Sequence, residues 1–206
     1  MKPPLALKAK WMGLLTLLFV FALVPPPAEA HLNSTGLGPV YDGLLHFLFT
    51  PEDIISVLAL ALLAGQRGAA HSRRALFVLP ATWFLGGLVG LNTSITSGGT
   101  ALACLSFLIL GGLLAADANL SPRVLSALSA IVGLSHGFLN GAGLGKPQDP
   151  ALVLLGLVFA VFVLVVIAAA FVVRLRHQWA RIAVRVVGSW VVASGLLLFG
   201  WAARKG

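Results

Sequence analysis

The sequence LLHFLFTPEDIISVLALALLAG, residues 44–65, decides the fold that we predict for this chain. It places one histidine and two carboxylates, His46, Glu52 and Asp53, at the beginning of a long apolar run. An ionisable side chain at membrane depth costs about 2.5–3.5 kcal/mol even on lenient insertion scales, so such a group indicates function wherever it lies that deep. The apolar runs that follow indicate helices built around these groups.

Composition indicates a protein of the lipid bilayer. Of the 206 residues, 59% are hydrophobic and 10% are charged, whereas about 25% are charged in globular domains. The net charge of +8 comes from basic clusters between apolar runs, which is a topology signal and not a nucleic-acid-binding surface. Cys104 is the single cysteine, so it forms no intrachain disulfide, and its apolar surroundings indicate a buried, inert thiol. We predict an all-α integral membrane protein without a nucleic-acid partner.

Residues 1–30 have the three features of a secretory signal peptide. Three lysines come first, an apolar run over residues 12–24 follows, and residues 28–30, Ala-Glu-Ala, form an A-x-A cleavage site. The alternative is an uncleaved first membrane helix. That run is shorter than the about 20 residues that a span needs, and three prolines end it. We therefore predict a mature chain of residues 31–206 that begins at His31.

The mature chain contains six further apolar runs, from which we predict a single domain, a bundle of about six transmembrane helices with a break near Pro51. The runs cover residues 44–65, 75–91, 99–116, 123–141, 151–173 and 182–202. Cytoplasmic loops collect Lys and Arg. With the mature N-terminus outside, the inner loops hold eight arginines and the outer side holds three basic residues. Both termini are thus predicted to lie outside, in agreement with the signal peptide.

Small residues recur where helices in lipid pack closely. Gly133, Gly137 and Gly141 are spaced by four, and Gly86 and Gly90 repeat that spacing, which predicts packing faces on two helices. The sequence contains no G-x-x-x-x-G-K-[ST] and no H-E-x-x-H. Residues 133–137 fit G-x-S-x-G, but Ser135 and His136 are sequence neighbours whose side chains would point about 100° apart on a helix. We therefore predict no enzymatic activity.

The first polar group lies around Pro51. On a continuous helix Asp42, His46 and Asp53 would share one face, and carboxylate with imidazole suits nickel, cobalt, zinc or copper, or proton handling. The alternative is a local one. Thr50 as N-cap, Pro51 at the first helical position and Asp53 two residues later also form a helix start, in which Asp53 satisfies backbone amides.

The second polar group is SHGFLNG, residues 135–141. His136 and Asn140 are four residues apart and so share one face of the predicted fourth helix. A histidine at that depth needs a partner. A transport ligand and a histidine that only hydrogen-bonds to Asn140 or to a neighbouring helix both remain possible interpretations.

The two polar groups resemble motifs of the HupE/UreJ family, small bacterial membrane proteins linked to nickel or cobalt uptake for hydrogenase and urease. A first helix in that family opens with a pattern like H-P-x-x-G-x-D-H, and a later helix carries a pattern like F-H-G-x-x-H-G. The corresponding segments here are residues 46–54 and 135–141. Ile54 and Asn140 stand where the family patterns have histidines, so two expected ligands are missing.

The resemblance implies a permease for nickel or cobalt in the bacterial inner membrane, with no tightly bound cofactor. The candidate ligands, near the outer side, are His31, Asp42, His46, Glu52, Asp53, His136 and Asn140. As an N-terminal residue, His31 pairs an α-amino group with an imidazole, which suits Cu(II), although signal peptidase tolerates many residues at this position. The two missing histidines favour the alternative, a non-transporting accessory or assembly partner of a metalloenzyme or respiratory complex.

Overall fold

The computed structural model of the chain describes residues 35–93, 95, 97–145, 149–175 and 178–204, which belong to one compact unit of residues 31–206. Within those ranges the secondary structure consists of α-helices without a strand, as predicted. The helices are α1 (Pro39–Leu48), α2 (Pro51–Gln66), α3 (Ala69–Gly90), α4 (Gly99–Ala115), α5 (Pro122–Gly143), α6 (Pro150–Val173) and α7 (Gln178–Ala203). The predicted signal peptide lies outside the described residues.

Each of the six predicted apolar runs coincides with a helix, and the first run contains two, α1 and α2. By length and hydropathy α5, α6 and α7 can cross a membrane, and the bent pair α1–α2 makes a fourth crossing if it counts as one span. The helix α4 has only 17 residues, and α3 carries Arg73 and Arg74 near its beginning. These criteria therefore support three or four spans and not the predicted six.

The chain bends by 76° between α1 and α2, which confirms the predicted break near Pro51. Proline suits the first helical position because it has no amide hydrogen to satisfy and its φ is fixed near the helical value. The predicted positions of Thr50 as N-cap and Pro51 in the first turn are confirmed. The predicted side-chain capping is wrong, because no side chain hydrogen-bonds to the first amides of α2. The Thr50 hydroxyl instead donates to the His46 carbonyl at 2.7 Å. The Asp53 carboxylate instead forms hydrogen bonds with His136 and Asn140 of α5.

The helix α2 is the centre of the bundle. It packs against each of the other six helices, and ten of its 16 residues are buried. A helix that is apolar around its whole circumference is expected in such a position. Any polar side chain on α2 is consequently enclosed by neighbouring helices, which is what makes Asp53 and Ser56 unusual.

The helices α3 and α5 approach each other along the predicted glycine faces. Gly137 lies against the main chain of Trp83, Gly141 against that of Gly87, and Gly86 against that of Leu134. A Cβ atom at any of these three glycines would overlap backbone atoms of the opposite helix. The predicted packing faces are confirmed, and they bring the α3 backbone next to the polar residues of α5.

One end of the bundle is rich in arginine. Arg67, at the end of α2, forms an ion pair with Asp117, which follows α4, and Arg181 of α7 approaches the same carboxylate at 3.3 Å. Asp117 adopts a positive φ of 50°, which turns the chain from α4 towards α5. We call this the arginine-rich end; its described arginines are Arg67, Arg73, Arg74, Arg123, Arg174, Arg181 and Arg185.

Candidate functional site

Four buried polar residues meet between three helices, and we call them the polar cluster. They are Asp53 on α2, Ser106 on α4, and His136 and Asn140 on α5, with exposed fractions of 3%, 6%, 3% and 7%. Ser106 and His136 are each seven residues from the helix end that lies opposite the arginine-rich end, a rise of about 10 Å. The cluster thus lies well inside the bundle, nearer to the end that has few arginines.

The centre of the cluster is a pair formed by Asp53 and His136. Asp53 Oδ1 is 2.7 Å from His136 Nδ1. An ionised carboxylate can only accept hydrogen bonds, so with Asp53 ionised the hydrogen of this bond resides on Nδ1. The other ring nitrogen, Nε2, is 2.9 Å from the hydroxyl of Ser106. In the neutral imidazole Nε2 is an acceptor, so Ser106 donates to it.

Asn140 closes the cluster on the other side of the carboxylate. Its Nδ2 donates to Asp53 Oδ2 at 2.8 Å and to the His136 carbonyl at 2.9 Å. Because both partners are acceptors, the orientation of the amide is fixed. Asn140 Oδ1 is then a buried acceptor without a hydrogen-bond donor among the described residues. Leaving such an atom unpaired costs about 1–3 kcal/mol, so this oxygen is available to a donor or a cation.

An aromatic ring of α3, that of Trp83, lies against the imidazole, and a ring of α1 packs behind it. The Trp83 ring centroid is 5.4 Å from that of His136, with the planes tilted by 33°. Phe47 of α1 meets Trp83 edge-on at 6.3 Å. Both aromatic side chains are fully buried, with exposed fractions of 0% and 1% for Trp83 and Phe47. The stack connects α1 and α3 to the polar cluster and restricts the orientation of the imidazole.

The structure brings together three of the seven predicted ligands, Asp53, His136 and Asn140. His46 is half-buried on α1 and lies within electrostatic range of Asp53, although its side chain forms no hydrogen bond with a described residue. The bend at Pro51 explains this, because it removes His46 from the face that a continuous helix would share with Asp53.

The other predicted ligands lie outside the cluster. Asp42 accepts a hydrogen bond from the Thr35 amide at 2.6 Å and so closes the turn before α1. Glu52 is half-buried in the first turn of α2. His31 lies outside the described residues. Within the described residues, no three His, Cys, Asp or Glu side chains converge as a metal-binding group.

Sequence reasoning missed Ser106 and Trp83. Ser106 is a single hydroxyl in an apolar helix, and only its contact with His136 gives it a role. Trp83 offered a weak signal, because it precedes Gly86 and Gly90 at helical spacing and so belongs to the face that packs on α5. Recognising either residue from sequence would have required knowledge of how α3, α4 and α5 are arranged.

Comparison with known proteins agrees with the resemblance seen in the motifs. A family model described as HupE / UreJ protein matches residues 18–198, which include the whole polar cluster and all seven helices except the end of α7. Searches of curated proteins and of solved structures gave no significant match. Since the match covers far more than half of the sequence, the chain belongs to the HupE/UreJ family.

Proposed function

We propose that this protein is a permease for a divalent transition metal ion, nickel or cobalt, and that the polar cluster binds the ion during passage. The observation that carries the proposal is the buried Asp53–His136 pair inside a bundle of apolar helices, beside the Asn140 amide oxygen, which has no hydrogen-bond partner among the described residues. Ionisable groups at such depth mark ion pathways in membrane proteins. The family is associated with nickel or cobalt accessory or transport roles.

The donor atoms of the cluster suit a borderline divalent ion. The cluster offers one imidazole nitrogen together with carboxylate, amide and hydroxyl oxygens, and such mixed ligands accept nickel and cobalt. Metal-binding histidines usually donate their second N–H to a carboxylate, which fixes the ring and raises its basicity. Asp53 occupies that position at Nδ1 of His136. His136 Nε2 is therefore the nitrogen that we assign to the ion.

Ser106 and Asn140 complete the assignment. Ser106 satisfies Nε2 by a hydrogen bond, and an ion that binds Nε2 would replace that bond. Asn140 Oδ1 would supply an oxygen ligand without losing an existing hydrogen bond, because it has none among the described residues. Copper remains a further candidate ion through His31.

The orientation that we propose places the polar cluster towards the outside. Arginine-rich ends of membrane proteins face the cytoplasm, so the opposite end faces outward, and both termini of the mature chain lie there. A secretory signal peptide over residues 1–30 would deliver the mature N-terminus to the outer face, and a location in the bacterial inner membrane agrees with this orientation. An ion arriving from outside would reach Asp42 and His46 before the polar cluster.

Transport by reconstituted proteoliposomes tests the proposal. We expect wild-type protein to accumulate nickel or cobalt and His136→Gln to lose accumulation, while His71→Gln, a change in the first turn of α3 at the arginine-rich end, leaves it intact. Equal accumulation by wild type and His136→Gln would refute the role of His136. Helical content and monodispersity of each variant establish that it is folded.

The alternative function is a non-transporting accessory protein that assists assembly of a metalloenzyme or respiratory complex. One observation favours it: most hydrogen bonds of the cluster are made within the cluster, and no three ionisable ligands converge among the described residues. The cluster would then act as a structural link between α2, α4 and α5. This alternative predicts no metal bound by purified protein and a stoichiometric partner that still co-purifies with His136→Gln.

A further inference from the structure

The arginine-rich end carries more positive charge than its carboxylate can neutralise. Asp117 is the only acidic residue in the turns at this end, and it is shared by Arg67 and Arg181. Four further arginines at this end are exposed and form no ion pair with a described residue: Arg73, Arg74, Arg123 and Arg174. These exposed side chains are therefore accessible to anionic groups of other molecules.

An apolar groove of about 210 Å³ opens between α3 and α6, with Arg73 in its lining and Val173, the residue before Arg174, at one end. Its apolar part includes Leu76 of α3 and Val166 and Ala170 of α6. Among the described residues Arg73 is the only charged one in its lining. Ser72 also lines the groove, and its hydroxyl donates to the Gly68 carbonyl. The groove therefore combines a hydrocarbon-like surface with a single cation at one end.

The groove offers an apolar surface for the acyl chain of a phospholipid and arginines at one end for its charged headgroup. On α6 it extends from Val165 to Val173, a rise of about 12 Å along the helix axis. Arg174, an exposed cation, follows directly at the arginine-rich end. On α3 the groove begins at Ala69, where the first helical amides have no side-chain cap, so the positive end of the helix dipole also faces this region.

We propose that this groove binds an anionic phospholipid, with one acyl chain between α3 and α6 and the phosphate against Arg73. Basic pockets between transmembrane helices bind anionic headgroups, and each Arg or Lys near the membrane surface contributes about 1 kcal/mol. Arg73 in the groove lining and Arg174 directly after it supply the charge complementarity, and the row of small and β-branched side chains on α6 supplies the room for the chain. The inference is independent of the transported ion.

Electron paramagnetic resonance of spin-labelled lipids in vesicles tests the proposal. We expect the wild-type protein to prefer phosphatidylglycerol to phosphatidylcholine, and Arg73→Gln to lower that preference about fivefold, the equivalent of the contribution of one arginine. Arg123→Gln is the matched control, because it removes an exposed arginine of the same end that does not line the groove. This control is expected to keep the preference.

A second variant tests the contribution of the groove to lipid binding separately from that of the arginine charge. Ala170→Phe fills the groove with an exposed side chain and leaves every arginine in place, so we expect it to lower the preference as Arg73→Gln does. The proposal is overturned if Arg73→Gln keeps the full preference, if Arg123→Gln loses it equally, or if Ala170→Phe binds like the wild type. Circular dichroism of each variant establishes that it is folded.

Discussion

The two ends of the central helix α2 hold polar groups that differ in burial and in composition. At its beginning, Asp53 and its three partners are each less than 8% exposed. At its end, the side chains of Arg67, Asp117 and Arg181 are 12%, 26% and 50% exposed. The first group places one carboxylate beside an imidazole and an amide, whereas the second shares one carboxylate between two guanidinium groups.

This difference decides which of the two groups we assign to function. A partly exposed ion pair contributes about 0–1 kcal/mol and costs little to assemble. A buried ionisable pair must offset a desolvation penalty of several kcal/mol per ion, and apolar residues of similar volume often do as well. Stability alone therefore explains the group around Asp117 but is a weak reason for Asp53 and His136, which is why we assign ion binding to the latter.

The largest expected effect is that of Asp53→Ala. The substitution removes the acceptor of His136 Nδ1 and of one hydrogen of Asn140 Nδ2. Each buried donor left without an acceptor costs about 1–3 kcal/mol, so we expect a decrease of about 2–6 kcal/mol in the free energy of unfolding, measured by denaturant titration in detergent. A decrease below that of Arg181→Gln would show that burial does not distinguish the two groups.

A smaller effect is expected where α3 supports the polar cluster. Gly137→Ala places a methyl group against the Trp83 backbone, and overpacking of this kind costs about 1–3 kcal/mol. Gly112→Ala is the matched control, because an added Cβ there meets no atom of the described chain within 4 Å. Thermal unfolding measures both variants, and equal stability would contradict the close contact of α3 with α5.

Ser106→Ala separates stability from ion binding. Loss of the hydroxyl removes the hydrogen bond to His136 Nε2 and lowers stability by about 1 kcal/mol. Because the ion is proposed to replace this same hydrogen bond, we expect the variant to retain metal binding. Ser135→Ala is the control, since the Ser135 hydroxyl bonds only to carbonyls of its own helix. Loss of metal binding in Ser106→Ala alone would make Ser106 an essential ligand.

The smallest effect is expected for Arg181→Gln at the other end of α2. Its guanidinium is half exposed and 3.3 Å from Asp117, which keeps Arg67 as a partner. We expect the free energy of unfolding to change by about 0.2–1 kcal/mol at low salt and by less at high salt. Denaturant titration at two ionic strengths measures this change, and a loss as large as that of Asp53→Ala would remove the contrast between the two ends.

Local sequence signals predicted the helices and the break between α1 and α2 correctly. Apolar runs of sufficient length coincide with helices in this bundle, and Pro51 fixes the beginning of α2 wherever α2 packs. Asp53, His136 and Asn140 were found because polar side chains are rare in such runs. The number of spans was overestimated because α4 is short and α3 carries arginines.

The parts that failed depend on tertiary contacts. Asp53 was predicted to cap α2, but His136 and Asn140 from a distant segment hold its carboxylate instead. His46 would share the face of Asp53 only on a continuous helix, and the predicted break at Pro51 removes it from that face. Ser106 gains a role only because α4 lies beside α5 at that level. None of these pairings follows from spacing along the chain.

The measurement that tests the central claim most directly is equilibrium dialysis of the purified protein against nickel, cobalt, copper and zinc. Wild type, His136→Gln and the control His71→Gln are compared under identical conditions. Our account predicts a stoichiometric ion on the wild type and on His71→Gln, and its loss in His136→Gln. Equal binding by His136→Gln and the wild type, or no binding by the wild type above the level of that variant, would contradict an ion site at the Asp53–His136 pair.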